Sequence, residues 1–448
     1  MEAILSAHAD LAWMLAAFTF VMLMIPGLAL YYGGMVGGRN ILNMMSMVLI
    51  TLGITCVVYV VYGYGMVSGP TAWDAGVVGN PADFIGLGDW MADDGSGGTQ
   101  TLYFAAWFIL FAAITIAIVA SGAAGRMKFS AWLLFVPVWL TLVYFPVAHW
   151  VFAVDADGYQ GGFLVNDIGI HDYAGGTAVH MNSGVAALAL ALALGARRRR
   201  AERPNNVPLA LLGGGILWFG WFGFNGSCAG GANFTTQVVI LNTLLAGGAG
   251  ILGFAALERY REGHVTSLGI MTGAIAGLVG ITPSADTMTP LGALGVGIAA
   301  GAVVALVLSF KARMKVDDTL DAFAVHGIGG IVGTLCIVLW ASDSAPAGVQ
   351  GVLLGGDAEV VWKELAGILI TCAYSFVLTY LIAKAIDKTI GLRVDTETEV
   401  AGLDPTVHAE SAYEIPASGL GGGPGGAAPQ IAHARHALAG DGTTTSSP

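Results

Sequence analysis

Two histidines lie within long apolar stretches of this 448-residue chain, and each completes the same tripeptide, Ala-Val-His. His180 ends a motif that begins at Asp172, and His326 ends one that begins at Asp321. Ionisable side chains are costly in an apolar environment and usually mark a functional pathway. A neutral imidazole offers one hydrogen-bond donor and one acceptor. The matched motifs therefore predict one polar site built from two helices.

Three other interpretations of these histidines are open. Each could be a packed polar residue hydrogen-bonded to a neighbouring helix, although a matched pair favours that less than a single histidine does. A zinc site lacks a third Cys or carboxylate ligand on the same helix turns. A hydrolase using Ser227 or Cys228 as nucleophile is disfavoured because Cys228 lies near the outer edge of its span and His180 lies deeper. We therefore predict no metal, no cofactor and no enzymatic activity.

The composition of the chain suits a lipid bilayer. Apolar residues make up 56% of it and charged residues 11%, whereas a soluble domain carries about 25% charged residues. A bilayer core requires roughly 20 consecutive apolar residues per helix. We therefore predict an all-α polytopic protein of the cytoplasmic membrane with eleven transmembrane helices. The predicted spans are residues 9–33, 41–66, 101–122, 129–152, 174–195, 207–226, 234–257, 265–283, 290–310, 320–341 and 358–386.

The basic residues predict the orientation of these spans. Of the 18 Lys and Arg residues, all except Lys363 fall in odd-numbered connections or at or beyond the end of the last span. The even-numbered connections 67–100 and 153–173 contain Asp but no Lys or Arg. Because positive charge marks the cytoplasmic side, we predict the N-terminus outside and the C-terminus inside. The one dense basic run, Arg197–Arg200, ends an apolar span and gives no support to nucleic-acid binding.

The placement of the histidines predicts an inverted repeat. Each follows the start of its span by about six residues, or roughly 9 Å at 1.5 Å per residue, and the two spans run in opposite directions. Spans one to five and six to ten would form two halves of opposite topology, which places binding sites near the membrane midplane. Small residues such as Gly184 and Gly330 follow the histidines. They permit the close helix approach that would bring the rings together.

Six longer motifs occur in order along the chain, and in them the sequence resembles the ammonium transporter (Amt/Mep/Rh) family over about residues 10–413. The resemblance implies a homotrimer with one pore per subunit that conducts ammonium or ammonia, with methylammonium as a candidate analogue. The motifs are Pro26–Gly34, Asp172–His180, Gly220–Asn225, Ala274–Pro283, Val316–Asp318 with Val325–Gly327, and Gly391–Val394.

The resemblance also implies roles for individual residues, carried over by motif position. His180 and His326 match the twin histidines of the family's pore. Phe111 and Phe224 match the two stacked phenylalanines that close its outer mouth. The other matches are Phe152, Cys228 and Asp172 at the outer recruitment site, the pore-associated Trp221, Tyr31 and Thr282, and Gly391 and Arg393 in the regulatory tail.

The outer recruitment site departs from the family pattern of a Trp and a Ser, because Phe152 and Cys228 occupy those positions. Phe offers a weaker cation–π face than Trp, and a thiol is a poorer acceptor than a hydroxyl. Trp150 is close in sequence but faces elsewhere on its helix. Asp172 has a second interpretation as a helix cap. The altered site leaves open a second function, an ammonium sensor that binds without conducting.

Three segments follow from these patterns. Residues 1–390 form the predicted transmembrane transport domain, residues 391–414 a cytoplasmic regulatory segment, and residues 415–448 a tail whose Gly-, Ala-, Pro-, Ser- and Thr-rich composition predicts disorder. The resemblance further implies that a PII-type signalling protein docks at the cytoplasmic face. Basic residues beside an acidic tail suit a charge-complementary partner of this kind.

Overall fold

The computed structural model describes residues 2–91, 101–156, 158–198, 203–314 and 316–413, and confirms the predicted all-helical membrane fold. In these residues, ten helices are long and apolar enough to span a membrane, and Ser267–Ile281 is a shorter apolar helix. The spans are α1 (Ser6–Met35), α2 (Ile41–Ser68), α3 (Leu102–Ala123), α4 (Phe129–Phe152), α5 (Gly176–Leu194), α6 (Val207–Ala229), α7 (Phe234–Glu262), α8 (Ser267–Ile281), α9 (Pro290–Lys311), α10 (Phe323–Trp340) and α11 (Glu359–Thr389), followed by the short α12 (Thr396–Ala401).

The connections between helices alternate between the two ends of the bundle, as the predicted topology requires. At one end, Arg126 donates to the backbone carbonyl of Asp317, and Arg197 forms a 3.0 Å ion pair with the carboxylate of Asp317. These residues belong to the connections after α3, α5 and α9. At the other end, the backbone N–H of Tyr173 donates to the carbonyl of Pro283. That bond joins the connections after α4 and α8.

The short helix α8 also crosses the bundle. It begins after Thr266, which lines a cavity together with Arg197 and Asp321 at the end that holds the odd-numbered connections. It is followed by Pro283 at the opposite end. The Thr266 hydroxyl accepts a hydrogen bond from the N–H of Gly269, the N-cap arrangement that satisfies a free donor at a helix start. Counting α8, the described residues cross the bundle eleven times.

The helix ends differ from the predicted spans where a helix continues outside its apolar part. Helix α7 runs to Glu262 rather than ending at residue 257, and its last turn carries the exposed Tyr260 and Arg261. Hydropathy detects the apolar core of a helix, whereas polar turns that project beyond a membrane are invisible to it. Helix α11 likewise continues to Thr389, past the predicted end at residue 386.

The packing of the helices agrees with two inverted halves. Helix α1 lies along α6, so the first helices of the two halves pack against each other. The first turns of α5 contact the later part of α10, and the first turns of α10 contact the later part of α5. This reciprocal contact is what a two-fold axis between the halves produces. It brings the starts of the two histidine-bearing helices to the centre of the bundle.

The segment after α11 packs against the end of the bundle that holds the odd-numbered connections. The carboxylate of Asp404 accepts hydrogen bonds from the N–H groups of Leu42 and Asn43 and so caps the start of α2. Residues up to Ala412 belong to one compact unit. The predicted disordered tail, residues 415–448, lies outside the described residues.

Candidate functional site

The two histidines meet at the centre of the bundle. The Nδ1 atoms of His180 and His326 lie 3.2 Å apart, and their ring centroids are 5.3 Å apart. Both side chains are buried. One Nδ1 must donate and the other accept, so the two neutral rings hold different tautomers. Nε2 of His180 has no hydrogen-bond partner among the described residues, which leaves it as a free polar group in an apolar setting.

Both histidines lie in short π-helical segments that begin their helices. Gly176–Met181 holds the first ring and Phe323–Ile328 the second. Such wide turns are rare and often mark functional sites, because they re-aim side chains and free backbone groups. Five residues before each histidine the backbone adopts a positive φ, 104° at Gly175 and 66° at Asp321. Each half therefore positions its histidine with the same backbone conformation, a positive φ followed by a π-helical segment.

A carboxylate caps each of these helices eight residues before the histidine. Asp172 accepts hydrogen bonds of 2.7–3.2 Å from four successive N–H groups that begin with Gly175. Asp318 accepts from the N–H of Phe323 and from the hydroxyl of Ser121. The contacts of Asp172 are therefore those of a helix cap at the start of α5. Asp318 is its counterpart in the other half, which the matching Asp-to-His spacing in the sequence could have revealed.

A narrow apolar cavity contains the edges of both imidazoles. Phe224 lines it beside His180, and Tyr31 also lines it. The hydroxyl groups of Tyr31 and Thr272 lie 3.3 Å apart, and Thr272 also lines the cavity at the inner end of the bundle. Other lining residues are Met24, Leu28, Tyr32, Ile114, Ile118, Leu217, Trp221, Ile275, Leu320 and Val325. The two histidines are thus the central polar groups of an otherwise apolar passage.

Trp221 forms a wall beside the first histidine. Its indole stacks on His180 with ring centroids 5.4 Å apart and planes at 26°. The indole N–H donates to the hydroxyl of Thr282 at 2.9 Å, and Thr282 donates in turn to the carbonyl of Leu278. Thr282 therefore fixes the orientation of the Trp221 indole beside His180.

Two phenylalanines close the outer end of the passage. The rings of Phe111 and Phe224 stack in parallel, with centroids 3.9 Å apart and planes at 1°. Both side chains are fully buried. Phe224 also lies 6.0 Å from His180. The stacked rings therefore lie between Phe152 on the outer side and His180.

An aromatic vestibule lies outside the stacked phenylalanines. Phe152 lines it at 6.5 Å from Phe111, and Cys228 and Asp172 line it as well. The thiol of Cys228 donates to the carbonyl of Phe224. Trp150 turns away from the vestibule, because its indole N–H donates to the carbonyl of Val77 and its ring packs on Tyr374.

Trp107 is a vestibule residue that the motifs do not identify. It lines the vestibule and contacts Phe111 with ring centroids 4.2 Å apart. Its buried indole N–H has no hydrogen-bond partner among the described residues. Its position one helical turn before Phe111 was the available signal, because residues four apart share a helix face. The vestibule therefore holds a tryptophan on α3, although position 152 on α4 holds a phenylalanine.

Ser227 and Cys228 are poorly placed for nucleophilic chemistry. Both donate to the carbonyl of Phe224, at 3.2 and 3.4 Å. Neither forms a hydrogen bond to a histidine within the described parts of the chain, so the nucleophile–base contact of a hydrolase is missing there.

Arg393 connects the C-terminal segment to the helix that carries His180. Its guanidinium donates to the carbonyls of Leu194 and Ala196 at the end of α5, and it forms a bidentate ion pair with the carboxylate of Glu399. Gly391 precedes it with a φ of 78°, a conformation that favours glycine. Glu399 is buried and also accepts from the N–H of Arg198.

Comparisons with known proteins agree with this architecture. A model described as the Ammonium Transporter Family matches residues 12–413. An ammonium transporter of Corynebacterium glutamicum is 50% identical over 415 residues, which are 92% of this chain and 91% of that protein. The structure of Saccharomyces cerevisiae Mep2 superposes with a TM-score of 0.78 at 30% identity and covers 87% of this chain and 88% of that one. A structure described as a sensor Amt protein gives a TM-score of 0.82 at 27% identity, covering 91% and 100%.

Proposed function

The chain belongs to the ammonium transporter family, and on that premise we propose that each subunit takes up ammonium by passing ammonia through the twin-histidine passage. The observation that carries this proposal is the direct contact between His180 and His326 inside an apolar cavity. An unpaired ion is strongly disfavoured in such surroundings. Neutral ammonia needs only a few hydrogen bonds on its way, and the free edges of the two rings offer them.

The tautomers of the histidines suit a molecule that both donates and accepts. The ring that donates through Nδ1 presents its Nε2 as an acceptor, and the partner ring presents an N–H. Ammonia can therefore donate to one ring and accept from the other. Tyr31 marks the inner end of this path, while Trp221 and Thr282 hold His180 in place.

Ammonium collects first in the outer vestibule. The aromatic faces of Phe152 and Trp107 attract a cation there, and the stacked Phe111 and Phe224 exclude hydrated ions from the passage. Asp172 contributes through the helix start that it caps, since its carboxylate is occupied by four N–H groups. Cys228 adds a weakly polar edge to the same vestibule.

We propose that the protein assembles as a homotrimer. Its C-terminal segment, residues 391–414, regulates the subunits, and a PII-type protein docks at the cytoplasmic face. The ion pair of Arg393 with Glu399 supports it, because this pair joins the segment to the end of α5. A force on the segment would therefore act directly on the helix that carries His180.

The test is uptake of labelled methylammonium into liposomes that contain the purified protein. We expect the wild-type protein to transport, and His180→Ala and His326→Ala each to abolish selective uptake while the oligomer elutes unchanged in size-exclusion chromatography. His264→Ala is the matched control, because this exposed histidine lies in the connection between α7 and α8. Full uptake by both pore variants would refute the assignment of the passage.

A sensor that binds ammonium without conducting it is the second candidate. The similarity to a structure described as a sensor Amt protein favours it at the level of the fold. The 50% identity to an ammonium transporter favours transport more strongly. Saturable binding of methylammonium by wild-type protein that shows no uptake in the same liposome assay would support the sensor.

A further inference from the structure

A histidine–carboxylate pair at the outer vestibule is not used by the passage described above. His171 lines the vestibule beside Asp172, Tyr173 and Cys228. Its Nε2 lies 2.8 Å from the carboxylate of Asp286, and the side chains of His171 and Asp286 are 25% and 10% exposed. His171 therefore borders the cavity, and Asp286 is not among the residues that line it. In this arrangement Nδ1 is the ring nitrogen left for a vestibule molecule.

The pair joins two connections at the outer end of the bundle. His171 lies between α4 and α5, and Asp286 lies between α8 and α9. The backbone N–H of His171 also donates to the carboxylate of Glu364 on α11. The hydrogen bonds of the described residues use Nε2 and the backbone of His171, and none of them uses Nδ1. A carboxylate that fixes one ring nitrogen and leaves the other free is the arrangement of a histidine general base.

Acidic groups surround His171 from three parts of the chain. Asp286 faces it from the connection after α8, Glu364 from α11, and Asp172 from its own connection. Lys363, also on α11, is engaged in an ion pair with Glu359. Burial alone lowers the pKa of His171, but the three carboxylates more than offset this and raise its pKa above the ordinary value.

We propose that His171, held by Asp286, is the base that takes a proton from ammonium in the outer vestibule before ammonia passes the stacked phenylalanines. The inference rests on the proposed transport function. One N–H bond of ammonium breaks, its electron pair stays on nitrogen, and the proton binds Nδ1 of His171. The carboxylate of Asp286 balances the positive charge of the imidazolium, and Nδ1 then releases the proton to the outer water. Imidazole is a weaker base than ammonia, so a raised pKa at His171 reduces the energetic cost of the transfer.

The experiment measures initial methylammonium uptake at outer pH values from acidic to mildly alkaline, each variant expressed as a ratio to wild type. The ratio removes the change in the ammonium–ammonia balance, which is common to all proteins. His171 accepts a proton only when neutral, so wild-type uptake contains a component that rises as pH increases through its pKa. His171→Asn should lose this component, so the ratio of its uptake to that of wild type should fall as pH increases. Asp286→Asn should move its midpoint to lower pH, because the carboxylate that raises the pKa is gone.

His264→Asn supplies the matched control and should keep the wild-type profile. A merely structural role for the pair would lower uptake equally at every pH, and that result would overturn the proposal. So would a His171→Asn protein with the wild-type profile. If His171→Asn is not recovered as a monodisperse oligomer, Asp286→Asn decides alone, since an unchanged midpoint contradicts the proposal and a shifted one supports it. Absence of uptake by wild-type protein would instead refute the transport function itself.

Discussion

At the scale of single residues, the proposed outer recruitment site combines aromatic side chains from two helices. Position 152 offers a phenylalanine face, which attracts a cation less strongly than an indole. Trp107 brings an indole to the same vestibule from α3, in contact with Phe111. The weak outer site expected from position 152 alone therefore underestimates the aromatic side chains that line the vestibule.

Trp107→Phe should raise the ammonium concentration that gives half-maximal uptake by a few-fold. The reason is the loss of an indole face, since exposed cation–π contacts contribute about 0.5–1 kcal/mol. Concentration-dependent uptake in liposomes measures it. Trp362→Phe is the control, because this half-exposed tryptophan lies on α11 outside the vestibule lining. An unchanged half-saturation in Trp107→Phe would mean that the cation is recruited by other groups.

At the scale of helices, the meeting of the histidines depends on glycines that let α5 and α10 touch. A Cβ atom at Gly184 would lie 2.1 Å from the backbone nitrogen of Gly327. A Cβ atom at Gly330, the matching position after the second histidine, would lie 2.9 Å from the carbonyl oxygen of Gly176. The backbones of α5 and α10 therefore approach each other closely at two related points.

Gly184→Ala should destabilise the protein and reduce uptake together. Overpacking of this kind costs about 1–3 kcal/mol, and separating the helices also separates the rings. Thermal unfolding in detergent and liposome uptake report the two effects. Gly248→Ala is the control, because a Cβ at this position in α7 meets nothing within 4 Å; it should be neutral or stabilise by up to about 1 kcal/mol. Wild-type behaviour of Gly184→Ala would contradict the close contact.

The helices and their order follow from the sequence more completely than the local geometry of the site does. The alternation of basic and acidic connections predicts eleven crossings, because charge records which loops share a side. Hydropathy contains no information on π-helical pairing, so the wide turns at His180 and His326 are not predicted. The contact between His171 and Asp286 joins two connections that no periodicity relates, and only the packed fold brings them together.

At the scale of the whole molecule, docking of a PII-type protein should require the ordered C-terminal segment. A chain ending at residue 390 lacks Arg393, Glu399 and Asp404, whose contacts attach the segment to α5 and α2. We expect this chain to lose capture of a PII protein in a pull-down from detergent, and a control chain ending at residue 413 to keep it. Capture should weaken with added salt, as charge-complementary interfaces do.

Equal capture by the two truncated chains would show that the segment is dispensable for docking. No capture under any nucleotide condition would remove the partner from the proposal. Either result leaves the transport assay unaffected, so regulation and conduction are tested separately.

The reciprocal packing of α5 and α10 also limits where a preference for direction can arise. The two antiparallel helix starts share one backbone arrangement, so a molecule arriving from either end meets a similar backbone. Any asymmetry of the route therefore comes from side chains, such as Trp221 beside His180, and from the two mouths. These do differ: the outer mouth holds His171 and Asp172 among aromatic rings, while the inner one holds Arg197, Arg261 and Glu258. Exchanging charges at the mouths would change the rate of entry at each end without altering the histidine pair.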